Sequence, residues 1–487
     1  MAARFFLQNI AKLFFALVSF VLTADAFGVP PAVNIADLPP LNSGAKVHPN
    51  VVLSLSTNLS MVGIAYRGEH ALYNKNIDYI GYFNHLQCYV YVGGNRNTLN
   101  GYFAIAKAAT VGTHECGGDS FSGNFMNWAA LSLLDIMRYS LTGGDRVVDT
   151  SDVTMLQRAV LPEQFYANDQ YFPRRSISEP HQVTPFNIKT LYIVSCRNRI
   201  LFSDTKDNGG NCDTSPFDLQ GSLRNTDKKL GEYLVRVKVC DEVEGPVRSD
   251  LCHPYGSKFK PVGALQRQSE KIRFAAMGYL LDNTNTRYGG VLRAPMKYIG
   301  NKKVESINWT VAQNDKLEWD PATGVLYANP EDASDRNNSG NNSGTNSGVI
   351  NYINKSGRNG TYKELDPISE LYYEGLRYLQ GKQPTPESIA GMTDAMKDGF
   401  PVVQTWLDPM MASCQKNIIV SIGDANTHWD RYVPGNQRTT YNNGLIAYDP
   451  VRSIEQATTK TPELDVKLWT RKVGELEADT AGVFMNA

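Results

Sequence analysis

Two short apolar runs, each ending in small polar residues, constrain this chain most. The first is Asn50–Met61, NVVLSLSTNLSM, and the second is Asn417–Asp430, NIIVSIGDANTHWD. An apolar run of this length bounded by turn residues reads as a buried strand. In open α/β sheets, ligands gather just past the carboxyl ends of such strands. The runs therefore set Ser56, Asn58 and Ser60 on one rim loop. They set Asp424, Asn426, His428 and Asp430, at alternate positions, on another.

Helical signals lie between the two runs. Ser122–Gly144 repeats Phe125, Trp128, Ala129, Leu133, Ile136, Met137 and Leu141 at helical spacing, which predicts one helix whose stripe is core. Ser122 or Asn124 caps its start and Gly143-Gly144 ends it. A second helix is expected over Ile368–Leu379, with Asp366 as cap, Pro367 in the first turn and Gly381 as stop. A third follows Thr461-Pro462, with Leu464, Leu468, Val473 and Leu476 as its buried positions. Strands are expected at Thr190–Ser195, at Tyr233–Val239, where alternation implies one buried face, and at Ile272–Leu281. Strand, helix, strands, helix, strand, helix is the order of an α/β domain with a mostly parallel sheet.

The rest reads as excursions from that frame. Residues 64–120 and 145–265 are loop- and β-rich insertions. Glu331–Gly348, EDASDRNNSGNNSGTNSG, has too few apolar side chains to offset its ordering entropy and reads as a flexible surface loop. At the amino end, Arg4 and Lys12 precede the apolar run Leu13–Leu22 and the small-x-small triplet Ala24-Asp25-Ala26. That is the pattern of a secretory signal peptide, residues 1–26, followed by an extended leader over 27–47. A membrane anchor is the weaker reading, because a bilayer span needs about 20 apolar residues.

Export makes oxidised cysteines the expectation. Cys88–Cys116, Cys240–Cys252 and Cys196–Cys212 are the local pairs, leaving Cys414 as a buried free thiol. His85, Cys88, His114 and Cys116 could instead hold zinc, although structural zinc sites usually space their ligands differently. Lys and Arg number 48 against 49 Asp and Glu, a formal charge of −1, which argues against nucleic acid or an anionic membrane as the main partner.

Three passages carry a family resemblance. They are SGNFMNWAALSLLDIMRYSLTGGDR (Ser122–Arg146), YLVRVKVC with KPVGALQ (Tyr233–Cys240 and Lys260–Gln266), and DPMMASCQKNIIVSIGDANTHWD (Asp408–Asp430). Together they resemble the type IV pilus PilY-type family of tip-associated adhesion and biogenesis proteins. The resemblance implies a von Willebrand A-like fold over residues 48–487, doubly wound around a mostly parallel sheet with insertions. It also implies a place in the periplasm, at the outer membrane surface or at the pilus tip. The implied role is pilus assembly, twitching motility and attachment, with minor pilins, pilus tip components, or a host or abiotic surface as partners.

Two departures bear on the site. Family members with an intact metal-dependent adhesion motif carry Asp-x-Ser-x-Ser after the first strand, whereas this chain has Ser56, Asn58 and Ser60. On the later strand the family often has Thr-Asp-Gly-Asp, whereas this chain has Ser421-Ile422-Gly423-Asp424. A hard cation needs several oxygen ligands, and carboxylate charge sets much of the affinity. Mg²⁺ or Ca²⁺ at Ser56, Asn58, Ser60 and Asp424 is therefore expected to bind weakly, or the segment is a relic whose side chains bond their own loop. Asn426, His428 and Asp430 are further candidate loop ligands, but the segment lacks the Gly and Glu of an EF-hand loop. The family usually continues into a carboxy-terminal β-propeller, whose functions do not carry over to residues ending at Ala487.

No G-x-S-x-G, H-E-x-x-H or G-x-x-x-x-G-K-[ST] motif occurs. The expectation is a non-enzymatic, exported pilus component that acts by binding. The alternatives are a metal-dependent adhesin with a host or matrix ligand, and a secreted hydrolase.

Overall fold

Asn50 to Leu55 is apolar on both sides of its pleat, and both sides are covered. In the computed structural model this run is strand β1 (Asn50–Leu55), with all six residues buried. The structure describes residues 47–93, 101–162, 168–206, 229–282, 289–305, 309–334, 336, 346–423, 430, 433–434, 440–441, 446–447 and 465–477. β1 is flanked by β2 (Arg273–Gly278) and β4 (Asn417–Ile422), both parallel to it. β3 (Val291–Lys297) pairs antiparallel with β2, giving the order β3-β2-β1-β4.

The two faces of β1 pack against different helices. Val51, Leu53 and Leu55 join Leu134 and Met137 of α2 (Leu133–Thr142) and Val349, Ile350 and Ile353 of α3 (Val349–Lys355). Val52 points the other way, to Leu371 and Tyr378 of α4 (Ile368–Leu379). Each fully buried aliphatic side chain contributes about 1.5–3 kcal/mol. At the amino end of the sheet, the buried Asn50 side chain joins three strands. Its Nδ2 donates to Asn417 Oδ1 at 2.9 Å and Pro409 O at 3.2 Å, and its Oδ1 accepts from Arg273 Nη1 at 2.9 Å and Gln415 Nε2 at 3.1 Å.

The expected helix over Ser122–Gly144 is two helices, α1 (Gly123–Ala130) and α2. Leu131 is extended, and Ser132 restarts the helix through a capping box with Asp135. The restart shifts the helical phase. Leu134 becomes fully buried, while Leu133, an expected core position, is 37% exposed. α2 ends as predicted at Gly143, whose φ of 83° is the left-handed cap that glycine favours.

A second core lies under a six-stranded sheet and a four-stranded sheet built from the expected insertions. Its centre is aromatic, including Tyr79, Tyr82, Phe83, Tyr89, Phe103, Phe121, Phe125 and Trp128. Two asparagines of α1 pin the adjacent loop. Asn124 accepts from Tyr79 N at 2.7 Å and donates to Ile77 O at 2.8 Å. Asn127 accepts from Phe83 N at 3.0 Å and donates to Tyr79 O at 2.7 Å. The Asn residues of the SGNFMNWA passage therefore supply backbone partners to a buried loop.

Several expectations change. Tyr233–Val239 is not one strand: Lys229–Leu234 and Arg236–Val239 belong to different sheets, although the alternation of buried valines with Arg236 and Lys238 holds. The mostly parallel sheet is a mixed α/β arrangement. Among the described residues, parallel ladders are confined to β1 with its two neighbours, apart from one residue pair, Val237 with Phe103, and one isolated bridge, Asn58 with Lys363. The third helix exists, as α5 (Val466–Leu476), with Asp465 as its cap. Its predicted inner positions are open, with Leu468, Val473 and Leu476 at 43%, 48% and 87% exposure; Leu464 lies outside the described residues. No helix among the described residues is long and apolar enough to cross a membrane.

Candidate functional site

β1 and β4 run side by side in the same direction, so their carboxyl ends open onto one rim. The ladder reaches Leu55 opposite Ile422, and Ser56 N donates to Ile422 O at 2.9 Å. Past that point the β1–β4 ladder ends among the described residues.

Ser56 sits deepest, 1% exposed. Its hydroxyl donates to Asp366 Oδ2 at 3.3 Å and accepts from the Tyr279 hydroxyl at 3.2 Å. Asp366 is fully buried and comes from the segment before α4. Burial first, and the Asp366 carboxylate next, push the Tyr279 phenol well above its usual pKa. Tyr279 therefore stays protonated and keeps donating to Ser56.

The other two predicted residues of this loop act differently. Asn58 accepts from Met61 N at 3.2 Å, a bond within its own loop, and bridges to Lys363 through the backbone. Ser60 opens a single helical turn, Ser60–Val62, and is half-buried. Asp424, Asn426 and His428 lie outside the described residues. The structure thus brings Ser56 and Asn58 to the rim, with Asn58 bonded within its own loop.

Asp430 has another task. Its carboxylate accepts from Ser369 N at 2.9 Å and Glu370 N at 3.2 Å, at the open amino end of α4. That differs from the expectation for Asp366: Pro367 holds the cap position. An acid adjacent in sequence gives way to one reached through the fold, because Asp366 faces Ser56 instead. Asp366 is the rim residue that sequence reasoning missed, since Asp-Pro before a helix carries the same local signal whether or not Asp caps it.

Beside the rim, Ile368, Ser369, Tyr372, Tyr373, Leu376, Ser421, Val433 and Val466 line an open, largely apolar cleft of about 370 Å³. One wall is the exposed side of α4, and another is the end of β4. A concave, mostly apolar surface with a few polar groups is the usual character of a binding cleft.

The cysteines follow the expected pairing where they are described. Cys88–Cys116 and Cys240–Cys252 are disulfides. Cys196 is also disulfide-bonded, and Cys212 lies outside the described residues. Cys414 is an exposed free thiol, not a buried one, because the turn before β4 lies at the surface. The four-residue zinc reading falls with the first disulfide: sulfurs bonded to each other are not thiolate ligands.

Comparison with known proteins gives a consistent match. Residues 70–216 match the family model described as "PilY1 homolog, small alpha/beta domain", and residues 283–485 match "PilY1 homolog, second domain". A type IV pilus biogenesis factor PilY1 homolog of Xylella fastidiosa is 33% identical over 468 residues, covering 90% of this chain and 37% of that protein. Another protein of the same name and organism is 24% identical over 364 residues, covering 64% of this chain and 22% of its own length. The chain therefore spans little more than a third of the longer match. No solved structure matches it.

Proposed function

Because the chain belongs to the PilY1-type family, we propose that it is an exported, non-enzymatic component of type IV pilus biogenesis that acts by binding through the β1–β4 rim. The observation that carries this reading is the direct parallel pairing of β1 with β4. It gives the rim loops a rigid base, and binding residues concentrate on loops held that way. The order β3-β2-β1-β4, with helices on both faces, supports a doubly wound, von Willebrand A-like arrangement. The open cleft beside α4 suits a partner that buries an apolar side chain, such as a minor pilin or a tip component. An envelope or extracellular place, twitching motility and attachment belong to the same reading.

The test is a strain lacking the gene, complemented with the chain or with a Tyr372→Ala, Leu376→Ala cleft variant. Piliation, twitching and recovery of minor pilins by the tagged chain are the measurements. Loss in the deletion strain and in the cleft variant is expected. Normal pili and normal movement in the deletion strain would overturn the proposal.

Asp366 favours a second reading, a metal-dependent adhesin. It brings to Ser56 the carboxylate that the Ser56–Ser60 segment lacks. Attachment that survives both chelation and Asp366→Asn would exclude it.

A further inference from the structure

Beside the second core, one loop and the turn before Cys116 bring three side chains together. They are exposed Asp78, half-buried His85 and buried His114, each offering a ligand atom within 4.8 Å of the others. Each sits on restrained backbone. Asn124 bonds the residues on both sides of Asp78. Asn84, before His85, donates its N–H to the Tyr89 hydroxyl at 2.7 Å and accepts from Leu86 N at 3.0 Å. His114 lies two residues before Cys116, which is bonded to Cys88, and His114 N donates to Thr110 O at 2.9 Å.

The orientation of the His114 ring is the decisive feature. Its Nδ1 lies 2.6 Å from Lys75 O. A carbonyl only accepts, so Nδ1 carries the proton. In a neutral ring Nε2 is then a bare lone pair, and it faces Asp78 Oδ1 at 3.0 Å. Two acceptors at that distance repel unless a positive species, a proton or a metal ion, lies between them. The buried His114 ring has a second imidazole beside it, His85, at a ring-centroid distance of 5.6 Å. A divalent ion satisfies all three groups at once. A carbonyl bond at the far nitrogen is also how metal-binding histidines are usually oriented.

We propose that Asp78, His85 and His114 form a site for a divalent transition metal of the Zn²⁺ class, through one carboxylate oxygen and two imidazole nitrogens. Zinc ligands at about 2.0–2.1 Å imply ligand separations near 3.3 Å in a tetrahedral site. The site closes by rotation of Asp78, 67% exposed at its side chain, and of half-buried His85, around a fixed His114. Three protein ligands leave a fourth position that faces solvent through Asp78, open to water or to a partner's side chain. The donor set of two imidazoles and one carboxylate favours zinc, cobalt, nickel or copper over magnesium or calcium.

Co²⁺ titration of the metal-stripped, disulfide-intact chain at pH 7.5 tests this, with the visible ligand-field band as readout and Zn²⁺ as competitor. Asp78→Asn and His85→Gln alter the two accessible ligands, so folding is preserved. His253→Gln and Cys414→Ser control for other surface donors. One Co²⁺ per chain is expected, displaced by Zn²⁺, with affinity lowered at least about tenfold in each ligand variant and unchanged in the controls. Absence of stoichiometric Co²⁺ uptake would overturn the site and leave His114 in contact with Asp78 alone. Uptake that Asp78→Asn and His85→Gln leave unchanged would overturn it equally.

Discussion

Leu53 and Val420 stand opposite each other on adjacent parallel strands, yet Leu53 is 2% exposed and Val420 is 37% exposed. β1 lies inside the sheet with a helix layer on each face, whereas β4 is at the end of the strand order among the described residues. The same backbone geometry therefore carries very different packing.

That contrast sets the first prediction. Leu53→Ala should cost about 2–5 kcal/mol, because the cavity lies between β1 and α3 and cannot fill with solvent. Val420→Ala should cost less than about 1 kcal/mol, since little apolar area is lost. Urea denaturation of both variants measures the difference, and equal costs would contradict the placement of β1 at the centre.

β1 and β2 were legible in the sequence because a strand buried on both faces leaves a continuous apolar run; the run of β4 also marked a strand, but not the buried one expected, since it is exposed or half-buried throughout among the described residues, and β3 was not foreseen. Their partners were less legible. Nothing local to Asn50 announces that it bonds Asn417 and Arg273, and nothing local to Asp430 announces that it caps α4. The break at Leu131-Ser132 was written in the sequence as Ser132-x-x-Asp135. The helical periodicity running through it masked the cap. At the rim, Ser56 was found from strand polarity, whereas Asp366 arrives from more than 300 residues away and has no spacing signature. The helix α5 shows the opposite error: an amphipathic pattern predicts a buried face only where a neighbour covers it.

The disulfides give a second prediction. Cys88–Cys116 closes a loop with a separation of 28 residues and Cys240–Cys252 one of 12. The loop-entropy account assigns about 3.5 and 3 kcal/mol respectively. The Cys88→Ser, Cys116→Ser double variant should therefore lose slightly more stability than the Cys240→Ser, Cys252→Ser variant. Denaturant midpoints of the two under non-reducing conditions check the order.

A third prediction concerns Gly263, in the KPVGALQ passage. A Cβ there would stand 2.2 Å from Leu141 C and 2.3 Å from Thr142 N, both backbone atoms at the end of α2. Gln266 fixes the approach, accepting from Gly263 N at 3.0 Å and donating to Thr142 O at 2.8 Å. Gly263→Ala must part the two segments and should cost about 2–4 kcal/mol, a strain effect that no side-chain rotation relieves. Gly112→Ala is the comparison. It has the positive φ but open space around it, so about 1–2 kcal/mol is expected from backbone strain alone. Thermal melting of both variants tests the ranking.

The last prediction is a pH dependence centred on Glu374. This residue of α4 is fully buried, and its carboxylate accepts from Thr385 Oγ1 at 2.6 Å and from Thr385 N at 3.3 Å. Burial outweighs those two bonds and raises the pKa from 4.5 to about 7. A carboxylate with a raised pKa holds its proton in the folded chain after the unfolded chain has released it. Between about pH 4.5 and 7 the folded state therefore binds more protons, and stability falls as pH rises. The contribution is fully present below the unfolded pKa and gone above the folded one, a change of about 3 kcal/mol. Glu374→Gln keeps an oxygen for Thr385 Oγ1 and removes the titrating proton. The difference in unfolding free energy between the two proteins, followed from pH 4.5 to 8, should shift in favour of the variant as pH rises. A difference that stays constant across that range would show that Glu374 titrates alike in the folded and unfolded chains, which its burial beside Thr385 does not allow.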